Sequence, residues 1–267
     1  MKELCNLTTD VAANLMANRE HFCEGVGMAK RISRESNKLA ASPSSAQSVL
    51  AALKTKANAE KAAFFPRFFK SGPGEYGEGD FFLGVTVPDQ RVIAKQFREL
   101  PIAEVQSLLL SKWHECRLTA IFILILQFER SKEPLRRELV EFYLANLDRV
   151  NNWDLVDSSA PKILGAYSIE DSEYRKRIEQ LAACGHLWRE RVAVLATQAQ
   201  IKQGDFRQLL KLAKRFLDHE HDLIHKAVGW MLREMGEVDM QPLIDFLDEN
   251  SDRMPRTMLR YAIEKLT

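Results

Sequence analysis

The chain has 267 residues, 46% of them hydrophobic and 28% charged, enough to bury a large core and long for one compact domain, though normal for an elongated array. Its longest apolar run, Ile121 to Leu126, is far short of the roughly 18 residues of a membrane span. The N-terminus lacks the apolar core of a signal peptide, and Cys5, Cys23, Cys116 and Cys184 lie far apart with no CxxC pair, so a soluble cytoplasmic protein without a zinc site or disulfide framework is expected. A net charge of +1 leaves nucleic acid open, because a local basic face can be cancelled in the total by acids elsewhere.

Taken in chain order, residues 1–44 contain a possible short helix near Asp10 to Arg19. A Ser/Pro/Ala linker follows at Ala40 to Ser45. This stretch reads as an extension without an assigned role, ahead of a folded body over 45–267. After Ala46 nearly every segment has apolar positions three and four apart, the mark of amphipathic helices. Examples are Ser48 to Lys56, Pro88 to Leu100, Glu115 to Glu129, Pro134 to Leu147, Tyr174 to Ala183, Trp188 to Gln200, Phe206 to Leu217, Ile224 to Glu234 and Pro255 to Leu266. Pro88, Pro134 and Pro255 sit at first helical positions, while Gly204 and Gly236 are expected just past helix ends. Between the first helices lies a glycine-rich loop, Ser71 to Gly79. It holds a formal GxGxxG at Gly72, Gly74 and Gly77, but no strand precedes it and no helix opens from it, so a dinucleotide site is not expected.

The helices repeat. Arg117, Asp154, Arg191 and Val228 fall 37 positions apart, each near an aromatic residue: Trp113, Trp153, Trp188 and Trp230. A period of this size belongs to helix-pair solenoids of the HEAT or armadillo kind. The expected fold is therefore an all-α solenoid of about six helix pairs whose second helices line a concave groove.

Most polar candidates have ordinary readings. Asp154 alone reads as a helix cap. Trp113 and Trp188 read as core, although Trp188 has the option of joining the groove. His219, His221 and His225 form an HxHxxxH pattern with no completing ligand, so a solvated helix start is expected and no metal. Arg175, Lys176, Arg177, Lys202, Arg207, Lys211, Lys214 and Arg215 form either a phosphate-contacting cluster or a solvated helix face.

Four landmarks recur in order over the chain after Ser45. They are Arg67-Phe68-Phe69-Lys70 with the glycine loop, Phe82-Leu83-Gly84-Val85 and Val87-Pro88; Asn151-Asn152-Trp153-Asp154-Leu155-Val156-Asp157; Leu187-Trp188-Arg189-Glu190-Arg191; and Ala227-Val228-Gly229-Trp230-Met231-Leu232-Arg233-Glu234. On these motifs the chain resembles the bacterial alkylpurine DNA glycosylases built from HEAT-like repeats. The resemblance implies a catalytic group of Asp157, Trp153, Trp230 and Arg191, and DNA contacts at Arg67, Lys70, Lys162, Arg189 and Arg233. It further implies a monomer acting on duplex DNA with alkylated purines, without cofactor or membrane, in the bacterial cytoplasm. Relatives can carry tyrosine where this chain has Phe68, which has no hydroxyl to give to DNA.

The chemistry is intelligible from these residue types. A purine alkylated at N3 or N7 is already cationic, so its N-glycosidic bond is weak and the base leaves with little help. Positive charge then develops on the deoxyribose, and a fixed carboxylate stabilises that transition state more than the ground state. The same carboxylate can orient water. Indole faces offer a cation–π attraction that grows with the charge, and arginine suits a phosphate. Trp153 and Asp157, four residues apart, share a helix face. Two rivals remain at this stage: a non-catalytic paralogue that binds DNA, and a HEAT scaffold for protein partners.

Overall fold

Ser45 begins the first helix by accepting from the Ser48 amide at 3.2 Å, while Glu104, far along the chain, takes the amide of Ala46 at 2.8 Å. Orphan amides of the first turn are thus satisfied from two sides. That helix, α1 (Ala46–Lys54), opens the part of the computed structural model that is described, residues 44–266. The possible helix near Asp10 and the extension up to residue 43, with most of the linker, lie outside the described residues; the linker's last residue, Ser45, is the cap of α1.

The helices that follow are α2 (Ala59–Phe68), α3 (Val87–Gln96), α4 (Ile102–Leu109), α5 (His114–Arg130), α6 (Leu135–Ala145), α7 (Trp153–Ser159) and α8 (Ala166–Glu170). Then come α9 (Glu173–Leu181), α10 (Leu187–Ala196), α11 (Gln198–Ile201), α12 (Arg207–Arg215), α13 (Asp222–Val238), α14 (Met240–Asn250) and α15 (Arg256–Ala262). No strand forms among the described residues; Phe81 and Trp113 make one isolated bridge. A π turn over Pro161–Gly165, with Gly165 N donating to Ala160 O at 2.8 Å, joins α7 to α8. Proline at its start removes the amide that an unbroken α-helix would use there.

The fold is a helical repeat. Helices α5, α7, α10 and α13 form an inner row in which each packs on the next, and α6, α9 and α12 pack beside them. Side chains about one repeat apart in sequence therefore touch: Arg117 donates to Asn151 at 2.8 Å and Gln198 to Glu234 at 3.3 Å. The inner helices are apolar on several sides; in α5 Ile121 and Leu124 share one face and Ile123 lies on another, and all three are fully buried. A helix hydrophobic all round belongs between neighbours, not at a surface.

Three sequence expectations change. The inner helices start at 114, 153, 187 and 222, an uneven repeat in place of a strict 37. Gly236 lies inside α13, not past its end, at a close approach to α14 where a Cβ would stand 2.5 Å from Leu243. Pro134 and Pro255 occupy cap positions, and Pro88 is the second residue of α3.

Candidate active site

The site is built where the inner helices begin. Asn152 caps α7 by accepting from Trp153 N at 2.8 Å, and its amide group donates to the carbonyl of Phe69 at 3.3 Å. One turn later α7 presents Asp157. Arg191, the fifth residue of α10, donates from Nε to Asp157 Oδ1 at 2.9 Å and from Nη2 to Oδ2 at 2.8 Å. Its Nη1 donates to the Leu223 carbonyl in the first turn of α13. Arg191 is buried, whereas the Asp157 side chain keeps 18% of its surface. Burial pushes the Asp157 carboxyl above its ordinary 3.8; Arg191 opposes that rise and Asp154 adds to it. The outcome is a desolvated carboxylate with both oxygens oriented and a second lone pair free on each.

Trp153, half-buried at the start of α7, stacks on Phe69 with ring centres 5.5 Å apart and meets the edge of Phe68 at 5.6 Å. Phe69 stacks in turn on Phe82 at 5.3 Å. Phe68 is half exposed and reaches Phe64 at 6.2 Å. The aromatics of the first landmark thus fix the indole from behind.

Behind Trp153 lies a buried charge network. His114 bridges Asp80 (Nδ1, 2.9 Å) and Asp154 (Nε2, 2.8 Å), and Arg117 pairs with Asp80 at 2.5 Å. Burial alone would lower the imidazolium, but the Asp154 charge and the bonds to Asp154 and Asp80 overcome it and push His114 up to about 9. Asp154 does accept from the Leu155 amide at 2.9 Å, yet the cap is Asn152 and the main partner of Asp154 is His114. Nearby, Glu115 takes the amides of Leu83 and Gly84 at 3.0 and 2.8 Å. That contact pins the Phe82–Val85 landmark to α5.

The glycine-rich loop reaches the same face. Gly77 lies so close under α7 that a Cβ would stand 2.6 Å from the Phe69 carbonyl and 2.9 Å from Asn152. Held there, the loop sets Tyr76 against Trp188 at 5.5 Å and His221 at 6.4 Å. Burial raises the Tyr76 phenol, Glu75 adds to the rise, and the nearby charge of Arg191 opposes it. Sequence reasoning gave Tyr76 no role. The histidines are wired rather than solvated. His219 links Glu190 (3.1 Å) to the amide of His221 (2.9 Å), and His221 caps α13 by accepting from Leu223 N at 3.1 Å. No group able to hold a metal is found among the described residues.

The remaining candidates have the following surroundings. Trp230 is the ninth residue of α13, about one turn deeper than Asp157 and Arg191 are in their helices. Its indole donates to Glu234 at 2.9 Å, and Glu234 also accepts from Gln198, beyond the end of α10. Arg189 pairs with Asp148 at 2.7 Å and Arg233 with Glu264, each across to a neighbouring repeat. Lys70 lies 3.8 Å from Glu75, and Lys162 and Arg67 are exposed. In the basic cluster, Arg175, Lys211 and Lys214 bind Asp205, Glu179 and Glu249 at 2.7, 2.7 and 2.9 Å, inter-repeat ties that favour the structural reading. Trp188 is buried as expected, with its edge on Tyr76.

The family model for DNA alkylation repair enzymes matches residues 49–266. A solved structure described as a predicted DNA alkylation repair enzyme from Enterococcus faecalis superposes with a TM-score of 0.64 at 18% identity, covering 79% of this chain and 97% of that one. At that identity the likeness speaks for the fold. No curated protein matches the sequence. Among the described residues no helix is long and apolar enough to cross a membrane.

Proposed function

We propose, from the premise that this chain belongs to the DNA alkylation repair enzyme family, that it is a DNA glycosylase hydrolysing the N-glycosidic bond of cationic N3- and N7-alkylated purines in duplex DNA. The observation that carries the reading is the Asp157 carboxylate, forked by Arg191 at 2.9 and 2.8 Å and still partly open on the face where the inner helices begin. A carboxylate held this way keeps its charge in a desolvated place and needs no reorganisation when positive charge develops on a sugar. Trp153, on the same helix face, supplies the flat apolar wall. In this reading Asp157 stabilises the sugar cation and orients water, and Arg191 is its positioning partner. Duplex DNA lies over the helix starts, with Arg67, Lys70 and Lys162 in reach of its backbone.

Incubation with duplex carrying 7-methylguanine or 3-methyladenine, followed by detection of free base, tests the proposal. Release dependent on Asp157 is expected. Binding without release would assign the chain to the non-catalytic DNA-binding reading instead.

A further inference from the structure

We propose that Tyr76 and His221 form a binding subsite for a phosphodiester oxygen of duplex DNA beside Asp157, a reading that rests on the assignment of this face to DNA. Arg191 is the residue type expected to take such a phosphate, but its three nitrogens are engaged by Asp157 and the Leu223 carbonyl. Turning it toward DNA would strip a desolvated carboxylate of both its hydrogen bonds. The phosphate must therefore be met by other donors.

Two donors stand next to it without partners. His221 Nδ1 accepts from the Leu223 amide at 3.1 Å; in the neutral ring the proton then sits on Nε2, the opposite side of the imidazole. The His219 ring fixes this arrangement by accepting from the His221 amide at 2.9 Å while holding Glu190 at 3.1 Å. The Tyr76 hydroxyl is the second donor. Tyr76 and His221 line one shallow depression together with Lys70, Gly74 and Glu75. Glu75 is turned to its own loop, accepting from Gly72 N at 2.9 Å and facing Lys70 at 3.8 Å. Its charge is thereby offset by Lys70, and the anion meets two neutral donors and one ammonium. The glycine loop and the HxHxxxH pattern, which share no obvious role in the sequence, converge on this depression.

The test uses the full chain and a short duplex with an uncleavable abasic analogue, read by fluorescence anisotropy. Phosphates flanking the analogue are replaced singly by neutral methylphosphonate. One position should weaken wild-type binding about tenfold, the size of a hydrogen bond to a charged group. Tyr76→Phe, which keeps the ring contacts, should bind the normal duplex about tenfold more weakly, with an unchanged salt slope because no cation is lost, and should be indifferent to that methylphosphonate. His221→Ser, which keeps a capping oxygen, should behave alike. Normal binding by both variants, or equal losses at every methylphosphonate position, would overturn the subsite. The wild-type methylphosphonate scan needs no variant to fold; a flat scan also overturns it. Because the readout is binding, absent base release would sink the catalytic reading and leave this result standing. Release and binding that ignore Tyr76 and His221 would sink the subsite alone.

Discussion

Arg191 grips both oxygens of Asp157 and, through Nη1, the Leu223 carbonyl, so one guanidinium spans three successive inner helices. Asp157→Asn keeps the shape and one acceptor but removes the charge. Single-turnover excision should fall by at least about a hundredfold, the scale for losing a preorganised electrostatic group, while affinity for undamaged duplex stays within a few-fold. A variant that excises at near the wild-type rate would remove Asp157 from the chemistry.

Arg191→Ala leaves Asp157 desolvated and unpaired. Breaking a buried pair from one side costs about 3 kcal/mol, so the melting temperature should drop by several degrees, measured by calorimetry. Arg191→Lys should recover only part of this, because an ammonium cannot fork two oxygens.

The Asp157 carboxyl already titrates above its ordinary 3.8 through burial. The ionised form does the work, so excision should fall as pH falls through that raised value, before ordinary carboxylates protonate. Arg191 lowers the carboxyl, so its removal should move the acid limb further up. A single-turnover profile corrected for spontaneous depurination checks both; an acid limb in the ordinary carboxylate range would contradict the first.

Much of this site was legible in the chain, and the failures have physical causes. Asp157 and Trp153 share a helix face by their spacing of four, and Arg191 meets Asp157 because both are the fifth residue of consecutive inner helices. Trp230 comes at the ninth residue of its helix, about one turn later than Asp157 and Arg191 come in theirs, because the inner helices begin at uneven intervals. Tyr76 was invisible because its position depends on Gly77 passing under Phe69 and Asn152, a tertiary contact with no local pattern. His221 likewise needed the Leu223 amide on its Nδ1 to show that Nε2 is the free nitrogen. Fold class survives such shifts because helical periodicity is local.

Trp153→Ala should slow excision more than Trp230→Ala. Trp153 stands at the start of α7, one turn from Asp157, whereas the Trp230 indole N–H is already held by Glu234 at 2.9 Å. Their effects should add, since residues without shared partners are energetically independent. Sub-additive single-turnover rates would show both indoles on one sugar.

His114 makes a stability prediction separate from catalysis. Its folded value of about 9 lies above the ordinary 6.5, so its stabilisation is fully present below about 6.5 and is lost as pH rises through about 9. The shift corresponds to roughly 3 kcal/mol. Melting temperature should therefore decline between these values, and His114→Gln should flatten the decline. An unchanged slope in the variant would assign the loss to another group.

Selectivity follows from which protons the site can give. Arg191 does not deprotonate, and both ring nitrogens of His114 are held by Asp80 and Asp154. Burial and neighbouring His219 lower His221 below its ordinary 6.5, so it is neutral near pH 7 and a poor acid. A leaving base that needs protonation finds no strong donor among these groups, whereas an alkylated purine carries its own charge. Excision should then track the lability of the glycosidic bond: 3-methyladenine and 7-methylguanine released, hypoxanthine and uracil left in place. The stabilising groups face sugar and backbone, so a bulky cationic N7 adduct should be released almost as well as a methyl adduct. The comparison is one duplex sequence carrying each lesion in turn, scored for free base at saturating protein. Efficient hypoxanthine release, or rejection of the bulky adduct despite binding, would mean that the base enters an enclosed pocket and is read there.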